Sequence, residues 1–333
     1  MKRYMDKLIV GVDAGNFNCK TQTQCFTSGF VELAGSEIRY NDLLEYNGRV
    51  YALTSDRLPL RDDKTGDDDF FILTLFAIGK ELARHQVPSG EYPVVLAPGL
   101  PPGHLTVAGL MDRTQNYYKR QVEFVFNGKE YKLDIGTVIV CPQGFAALLA
   151  PVLTDEMEAL SRTNRLLGAA RPIDILVQEP QAILIDIGGG TTDPIPLEWG
   201  APKPSIKLSM SEGIVDAYNE ISAVIKSKTG RDLPENAINM LLNGKKGVRV
   251  TSEEAEMIYS GIERYSQHLQ KKLLETKLPF SSSYNLLLGG GSAVLKSCWE
   301  KTAYHFGKLD FIREIRVNAM GFEEYALKVL TRA

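Results

Sequence analysis

Ala182-Ile-Leu-Ile-Asp-Ile-Gly-Gly-Gly-Thr-Thr-Asp193 is the stretch that decides how this chain is read. An apolar run closed by an aspartate and then glycines is a buried strand entering a tight turn. The same device opens the chain. Lys7-Leu-Ile-Val-Gly-Val-Asp13 runs into Ala14-Gly15-Asn16, with a return strand expected over Cys19–Phe26. The two aspartates stand 173 positions apart (186 − 13). Strand–Asp–x–Gly repeated at that distance is what two related halves, each giving a hairpin to one shared cleft, would leave in a sequence.

The residue types point to phosphate chemistry. A glycine turn after a strand lets backbone N–H groups approach phosphate oxygens with no Cβ in the way. Asp13 and Asp186 supply hard oxygens of the kind Mg²⁺ takes, one or two carboxylates at a time. Lys20, seven residues past Asp13 (20 − 13), falls on the return strand as a point charge for a phosphate. Thr191 and Thr192 bring hydroxyls beside the second turn. A third strand-to-glycine transition, Asn285–Leu288 into Gly289-Gly-Gly-Ser292, comes late in the chain. The patterns GxxxxGK[ST] and GxGxxG are both absent, which counts against the two commonest nucleotide folds.

Around these anchors strands and helices alternate, favouring an α/β architecture with mixed sheets. Asn47-Gly48 and Asn127-Gly128 sit between apolar runs and read as type I′ hairpins. The acidic stretch Arg61–Asp69 reads as a solvated loop whose aspartates cap a helix over Phe70–Arg84, in preference to a metal site. Val138–Gly144 is a strand entering a helix, with Gln143 at the junction. Further helices are expected over Glu156–Leu167, Gly213–Lys228, Pro234–Leu242, Ser252–Leu274 and Met320–Leu330. Pro194 and Pro196 remove ladder donors, so the return strand after Thr192 should be short or lie at an edge.

Composition narrows the function classes. At about 150 residues per domain, 333 residues make two domains the prior. With 44% hydrophobic and 24% charged residues the chain is an ordinary globular one. A formal net charge of −3 argues against direct attraction to nucleic acid or anionic lipid. Cys19, Cys25, Cys141 and Cys298 form no CxxC pair and the histidines are scattered, so neither a zinc site nor a histidine cluster is expected. The first residues are charged and lead straight into a strand, so no signal peptide is expected, and no apolar run approaches the roughly 18 residues of a membrane span. A cytoplasmic protein is the expectation.

Asp13–Lys20 resembles the first phosphate motif of the superfamily of actins, sugar kinases and heat-shock-chaperone ATPases. Asp186–Asp193 resembles its second phosphate motif, and Leu286–Ala293 its adenosine motif. Four more stretches are similar to ParM-type plasmid-segregation actins: Tyr46–Tyr51, Lys64–Phe70 with Leu73-Thr-Leu75, Gly99–Pro102, and Val317–Phe322. The resemblance implies an α/β, actin-like (ribonuclease H-like) fold with two related halves around a nucleotide cleft. The first half would be 1–153, with a small insertion about 30–69, rejoined by a C-terminal helix in 309–333. The second would be 154–308, with an insertion about 213–260.

The resemblance also implies roles. Asp13 and Asp186 would hold Mg²⁺ through water, and Lys20 would contact the β-phosphate. The backbone at Gly15, Asn16, Gly188, Gly189 and Gly190, with Thr191 and Thr192, would cradle phosphates. Gly289, Gly290 and Gly291 would lie against the base, and Glu212 would reach the ribose. Gln143, acting with Asp186, would orient the attacking water; an amide is no strong base, so it would position and polarise. The activity implied is hydrolysis of ATP or GTP coupled to polymerisation. The partners are further copies in a homopolymeric filament and a DNA-binding adaptor, with no direct nucleic-acid contact and no membrane. Three alternatives stand beside it: a non-polymerising kinase, for which Asp193 is the candidate base, a chaperone-like ATPase, and a membrane-linked cell-shape actin.

Overall fold

The computed structural model describes residues 1–34, 41–61, 63–163, 170–203 and 208–332. The chain divides into two compact units, Met1–Pro151 with Arg316–Ala333, and Val152–Ile315.

The first unit is built on the strand Lys7–Ala14. Its alternate side chains enter two different cores: Leu8, Val10 and Val12 face one, and Ile9 faces the other. A strand covered on both faces needs apolar residues at successive positions, which is why this segment shows no polar alternation. It pairs in parallel with Gly90–Leu100, which pairs in parallel with Lys129–Val138. The sheet continues through Gln121–Phe126, Leu43–Tyr46, Arg49–Leu53 and Phe30–Glu32, and on its other side through Asn18–Lys20 and Cys25–Thr27. Both Asn-Gly pairs form the expected hairpins, with positive φ at Asn47 (50°), Gly48 (72°), Asn127 (50°) and Gly128 (77°).

The helix Asp69–Arg84 supplies Phe71, Leu75, Phe76 and Ile78 to the first core. The C-terminal helix Val317–Arg332 covers the opposite face with Phe322 and Ala326. It lies so close that a Cβ on Gly11 would stand 2.2 Å from Ala319 O.

The second unit holds a five-stranded sheet in the order Ala201–Pro202, Thr192–Glu198, Ala182–Ile187, Tyr284–Leu288, Lys308–Phe311. Ala182–Ile187 is buried at every position and runs parallel to Tyr284–Leu288. Among the helices of this unit are Ile214–Thr229, Ser252–Glu275 and Gly290–Thr302. Among the described residues, no helix is long and apolar enough to cross a membrane.

Several local expectations need correction. The return strand is not one run over Cys19–Phe26. It stops at Lys20, turns through Thr21–Gln24, and comes back as Cys25–Thr27. The buried carboxylate of Glu81 holds that turn, accepting from Thr21 Oγ1, Thr23 N and Thr23 Oγ1. The strand carrying Pro194 and Pro196 is seven residues long, Thr192–Glu198, rather than short. Beyond it lie the two-residue strand Ala201–Pro202 and a single bridge from Thr192 to Met210 among the described residues, so it is close to an edge, as proline requires.

The acidic loop is ion-paired rather than simply solvated. Asp63 pairs with Arg113, Asp68 with Arg120, and Asp67 and Asp69 with Arg61. Asp68, at the N-cap of Asp69–Arg84, makes no side-chain cap bond. The helix expected over Glu156–Leu167 is seen as Asp155–Thr163; residues 164–167 and Asp62 lie outside the described residues.

Candidate functional site

In the first unit the turn sits at the carboxyl end of parallel strands, the end from which open α/β sheets present ligand sites. Val12 is opposite Pro98 on one side of Gly90–Leu100, and Cys141–Pro142 lies opposite Gly99 and Leu100. Asp13 and Gln143 therefore emerge at the same end of the sheet.

Asp13 is buried and stands directly across the hairpin from Lys20, whose Nζ donates to its Oδ2 at 3.0 Å. At Gly15 a Cβ would come within 2.8 Å of Asn18 O, so the turn closes only on glycine. Ser28 Oγ donates to Gly15 O at 2.6 Å. Asn16 Nδ2 donates to Arg61 O at 3.3 Å, while its Oδ1 is buried with no hydrogen-bond partner among the described residues.

Gln143 is half-buried in the turn between Cys141–Pro142 and the 3₁₀ turn Phe145–Leu149, rather than at the start of an α-helix. Its N–H donates to Leu100 O at 2.9 Å, and its carbonyl accepts from Phe145 N at 2.9 Å. Gly144 follows with φ 75° and donates its N–H to Asn318 Oδ1 at 2.9 Å.

In the second unit the corresponding hairpin has the same span. Asp186 pairs across it with Asp193, seven residues on (193 − 186), as Asp13 pairs with Lys20. The chemistry differs, because the first hairpin matches opposite charges and the second places two carboxylates together. Asp186 and Asp193 are each 1% exposed. Burial pushes the Asp193 carboxyl up to about 7; a hydrogen bond from Ser209 opposes this, Asp186 adds to it, and a hydrogen bond from Thr191 opposes it. Thr191 Oγ1 donates to Asp193 Oδ2 at 3.0 Å, and Asp193 Oδ1 has no partner among the described residues.

Gly188 N donates to Thr191 O at 2.8 Å, closing the turn. The turn's carbonyls then seat a helix: Ile214 N and Val215 N donate to Gly188 O and Gly189 O at 3.1 and 3.0 Å. A Cβ on Gly213 would stand 2.1 Å from Gly189 O, so that close seating needs glycine. Thr192 Oγ1 donates to the carbonyl of Glu212 at 2.6 Å, which places half-buried Glu212 beside Gly188–Thr191.

The late glycines join this turn directly. Leu288 is opposite Asp186, so Gly289 follows at the carboxyl end of the adjacent parallel strand. Gly289 has φ 91°, and a Cβ there would lie 2.5 Å from Asp186 Oδ1. Gly291 packs on Ile187, and a Cβ there would lie 2.4 Å from Ile187 Cγ2. Around Gly290 nothing lies within 4 Å of such a Cβ. Packing therefore gives no reason for glycine at 290; a ligand resting on the chain would.

The first unit thus brings Asp13, Gly15, Asn16 and Lys20 together, with Gln143 at the same sheet end. The second brings together Asp186, Gly188, Gly189, Gly190, Thr191, Thr192, Glu212, Gly289, Gly290 and Gly291. Sequence reasoning quoted Lys64 and Asn318 within family-like stretches but gave neither a role. Lys64 Nζ donates to Ala14 O at 2.7 Å, although it belongs to a loop that reads as solvent-facing. Burial pushes its ammonium below the usual lysine value, against the attraction of Asp13.

The donor set suits a hard cation that keeps its own water. No cluster of three or more His, Cys, Asp or Glu that could cage a metal occurs among the described residues. In each unit a buried aspartate stands beside a phosphate-type turn, and among the described residues Asn16 Oδ1 in the first and Asp193 Oδ1 in the second have no hydrogen-bond partner; hard oxygens of this kind fit Mg²⁺ carried in with phosphate oxygens.

Two family models match the chain, one in each half. Residues 11–145 match the N-terminal domain of actin-like proteins, and residues 184–300 match the C-terminal domain of the archaeal MreB-like actin homologue. Among solved structures, the archaeal actin homologue Ta0583 in complex with ADP aligns at 19% identity and TM-score 0.69, covering 96% of this chain and 99% of that one. ParM of Bacillus thuringiensis with ATP aligns at 15% identity and TM-score 0.66, covering 98% and 99%. The Alp12 filament structure aligns at 15% identity and TM-score 0.62, again covering 98% and 99%. A search of curated protein sequences found no match.

Proposed function

We propose that this chain, whose mixed α/β fold is actin-like in both its units, is a Mg²⁺-dependent hydrolase of ATP or GTP that polymerises in response to its nucleotide. Its filament segregates plasmid or other DNA through a DNA-binding adaptor. The observation that carries the reading is the pair of matched hairpins. Each ends a parallel strand in a buried aspartate and a glycine turn, one faced by Lys20 and the other by Asp193. The ADP and ATP named with Ta0583 and ParM, and the filament of Alp12, support the nucleotide and the polymer. The segregation role rests on the ParM-like stretches.

In this reading Lys20 and the backbone of Gly15 and Asn16 take phosphate oxygens on the first turn. Gly188, Gly189, Gly190, Thr191 and Thr192 take them on the second. Asp13 and Asp186 hold Mg²⁺ through water, and the ion neutralises charge that develops on the phosphates. Gln143 orients the attacking water, its main chain locked by Leu100, Phe145 and, through Gly144, Asn318. Gly289 and Gly291 shape the chain under the purine, Gly290 touches it, and Glu212 reaches the ribose. Asp193 is too enclosed to serve as base for a substrate hydroxyl, which disfavours the kinase reading.

Light scattering and pelleting with Mg-ATP, Mg-GTP and their diphosphates, with phosphate release followed in parallel, test this. Triphosphate-dependent polymer that decays as phosphate appears is expected. Gln143→Ala should polymerise with phosphate release slowed by roughly 100-fold or more. Protein that stays monomeric with every nucleotide at high concentration would remove the filament reading.

A further inference from the structure

Lys64 is a half-buried charge that the activity proposed above does not use. Its Nζ reaches back across the fold to Ala14 O at 2.7 Å and stands 5.0 Å from the centroid of the Phe70 ring. An ammonium carries three donors, and among the described residues this one satisfies a single acceptor and has no carboxylate in ion-pair range. The nearby carboxylate, Asp13, already holds Lys20 at 3.0 Å. Among the described residues, two lysines against one aspartate leave an excess positive charge at a half-buried glycine turn. Charge drawn out of water is unfavourable unless it is paired, so the turn suits an anion that the described residues do not supply.

The segment around Lys64 has a second tie to the same turn, through Asn16 Nδ2 to Arg61 O. From there it is anchored outward. Asp63 pairs with Arg113, and Tyr117 Oη donates to Asp67 O at 2.8 Å and accepts from Phe71 N at 2.7 Å. Contacts thus run from Ala14–Asn16 through Arg61 and residues 63–69 to the helix Leu110–Tyr118.

We infer that Lys64 is a second phosphate-binding lysine of the first turn, contacting the terminal phosphate of the nucleotide and fastening the 63–69 segment to the turn when that phosphate is present. The inference rests on the nucleotide reading, and its ligand class is the polyphosphate end rather than the base. Lys20 takes the oxygen nearer Asp13. Lys64 approaches from the Ala14 side and distinguishes a triphosphate from a diphosphate.

Lys64→Met and Lys64→Arg test it. Met removes the charge at similar volume, so Lys64→Met should melt no lower than wild type in the absence of ligand. Its affinity for the Mg-triphosphate that wild type hydrolyses should fall roughly 10- to 100-fold, the range for a lost charge-assisted hydrogen bond. Affinity for the diphosphate should change less than threefold, and Lys64→Arg should retain most of the triphosphate affinity. Inorganic tripolyphosphate should raise the melting temperature of wild type and not that of Lys64→Met. This probe needs no base, and it keeps the inference testable through Lys64→Arg if the Met variant folds poorly.

Equal weakening of di- and triphosphate, or a lowered melting temperature with unchanged affinity, would make Lys64 a structural brace and overturn the inference while leaving the nucleotide reading intact. Wild type that binds neither nucleotides nor tripolyphosphate would overturn both.

Discussion

Asp193→Asn should change how stability depends on pH, and the size of the effect follows from the second hairpin. Asp193 is enclosed beside Asp186, and its carboxyl titrates near 3.8 when unfolded and about 7 when folded. A raised folded value means that the native state keeps a proton which the unfolded chain has released. The stabilisation from this group is full below the unfolded value and is lost as pH rises through the folded value. From pH 5 to pH 8 the unfolding free energy of wild type should therefore fall relative to Asp193→Asn by about 2.5 kcal/mol.

Asn fits the same space and cannot ionise, so the variant should gain on wild type toward alkaline pH. The assay is urea unfolding of both proteins at pH 5, 6, 7 and 8, in chelator and without nucleotide. Subtracting one curve from the other cancels groups common to both. A difference that moves by under about 1 kcal/mol over the interval, less than one pKa unit, would refute the claim that Asp193 is held protonated by its burial.

The glycines at the second turn should separate by cause. Gly289→Ala forces a side chain onto φ 91° and against Asp186 Oδ1, and should lose more than about 2 kcal/mol in thermal or urea unfolding. Gly290→Ala meets open space and should unfold within about 1 kcal/mol of wild type, yet bind nucleotide at least tenfold more weakly by calorimetry. Unchanged binding would mean that no ligand rests on residue 290. Asn318→Ala strips the buried Gly144 N–H of its acceptor and should cost about 1–3 kcal/mol of stability. Phosphate release should slow with little change in nucleotide affinity; slowed release matched by lost affinity would show that Asn318 does not act through Gln143.

Much of the fold was legible because its signals are local. Lys7–Ala14 and Ala182–Ile187 read as buried strands because a strand covered on both faces must be apolar at consecutive positions. The Asn-Gly hairpins were legible because few residue pairs accept two successive positive φ angles. The return strand was misjudged because its end is set by Glu81, which lies sixty residues from Thr21. The aspartates of Arg61–Asp69 read as a solvated cap because their arginine partners include Arg113 and Arg120, on or beside a helix that sequence spacing does not connect to them.

The sequence by itself determined the strand–Asp–Gly turns, the lysine seven residues after the first of them, and the late glycine run. Each of these is a covalent neighbourhood whose geometry follows from strand period and glycine's freedom. Only the tertiary structure decided what surrounds them. It turned Lys64 onto Ala14 across fifty residues of chain, and Asn318 onto Gly144 across 174. It also enclosed Asp193, whose carboxyl burial pushes up to about 7. These are effects of desolvation and of partners brought from afar, and residue order does not encode either one locally. The same aspartate or lysine is a solvated surface charge or a buried, retuned one according to what the fold packs against it.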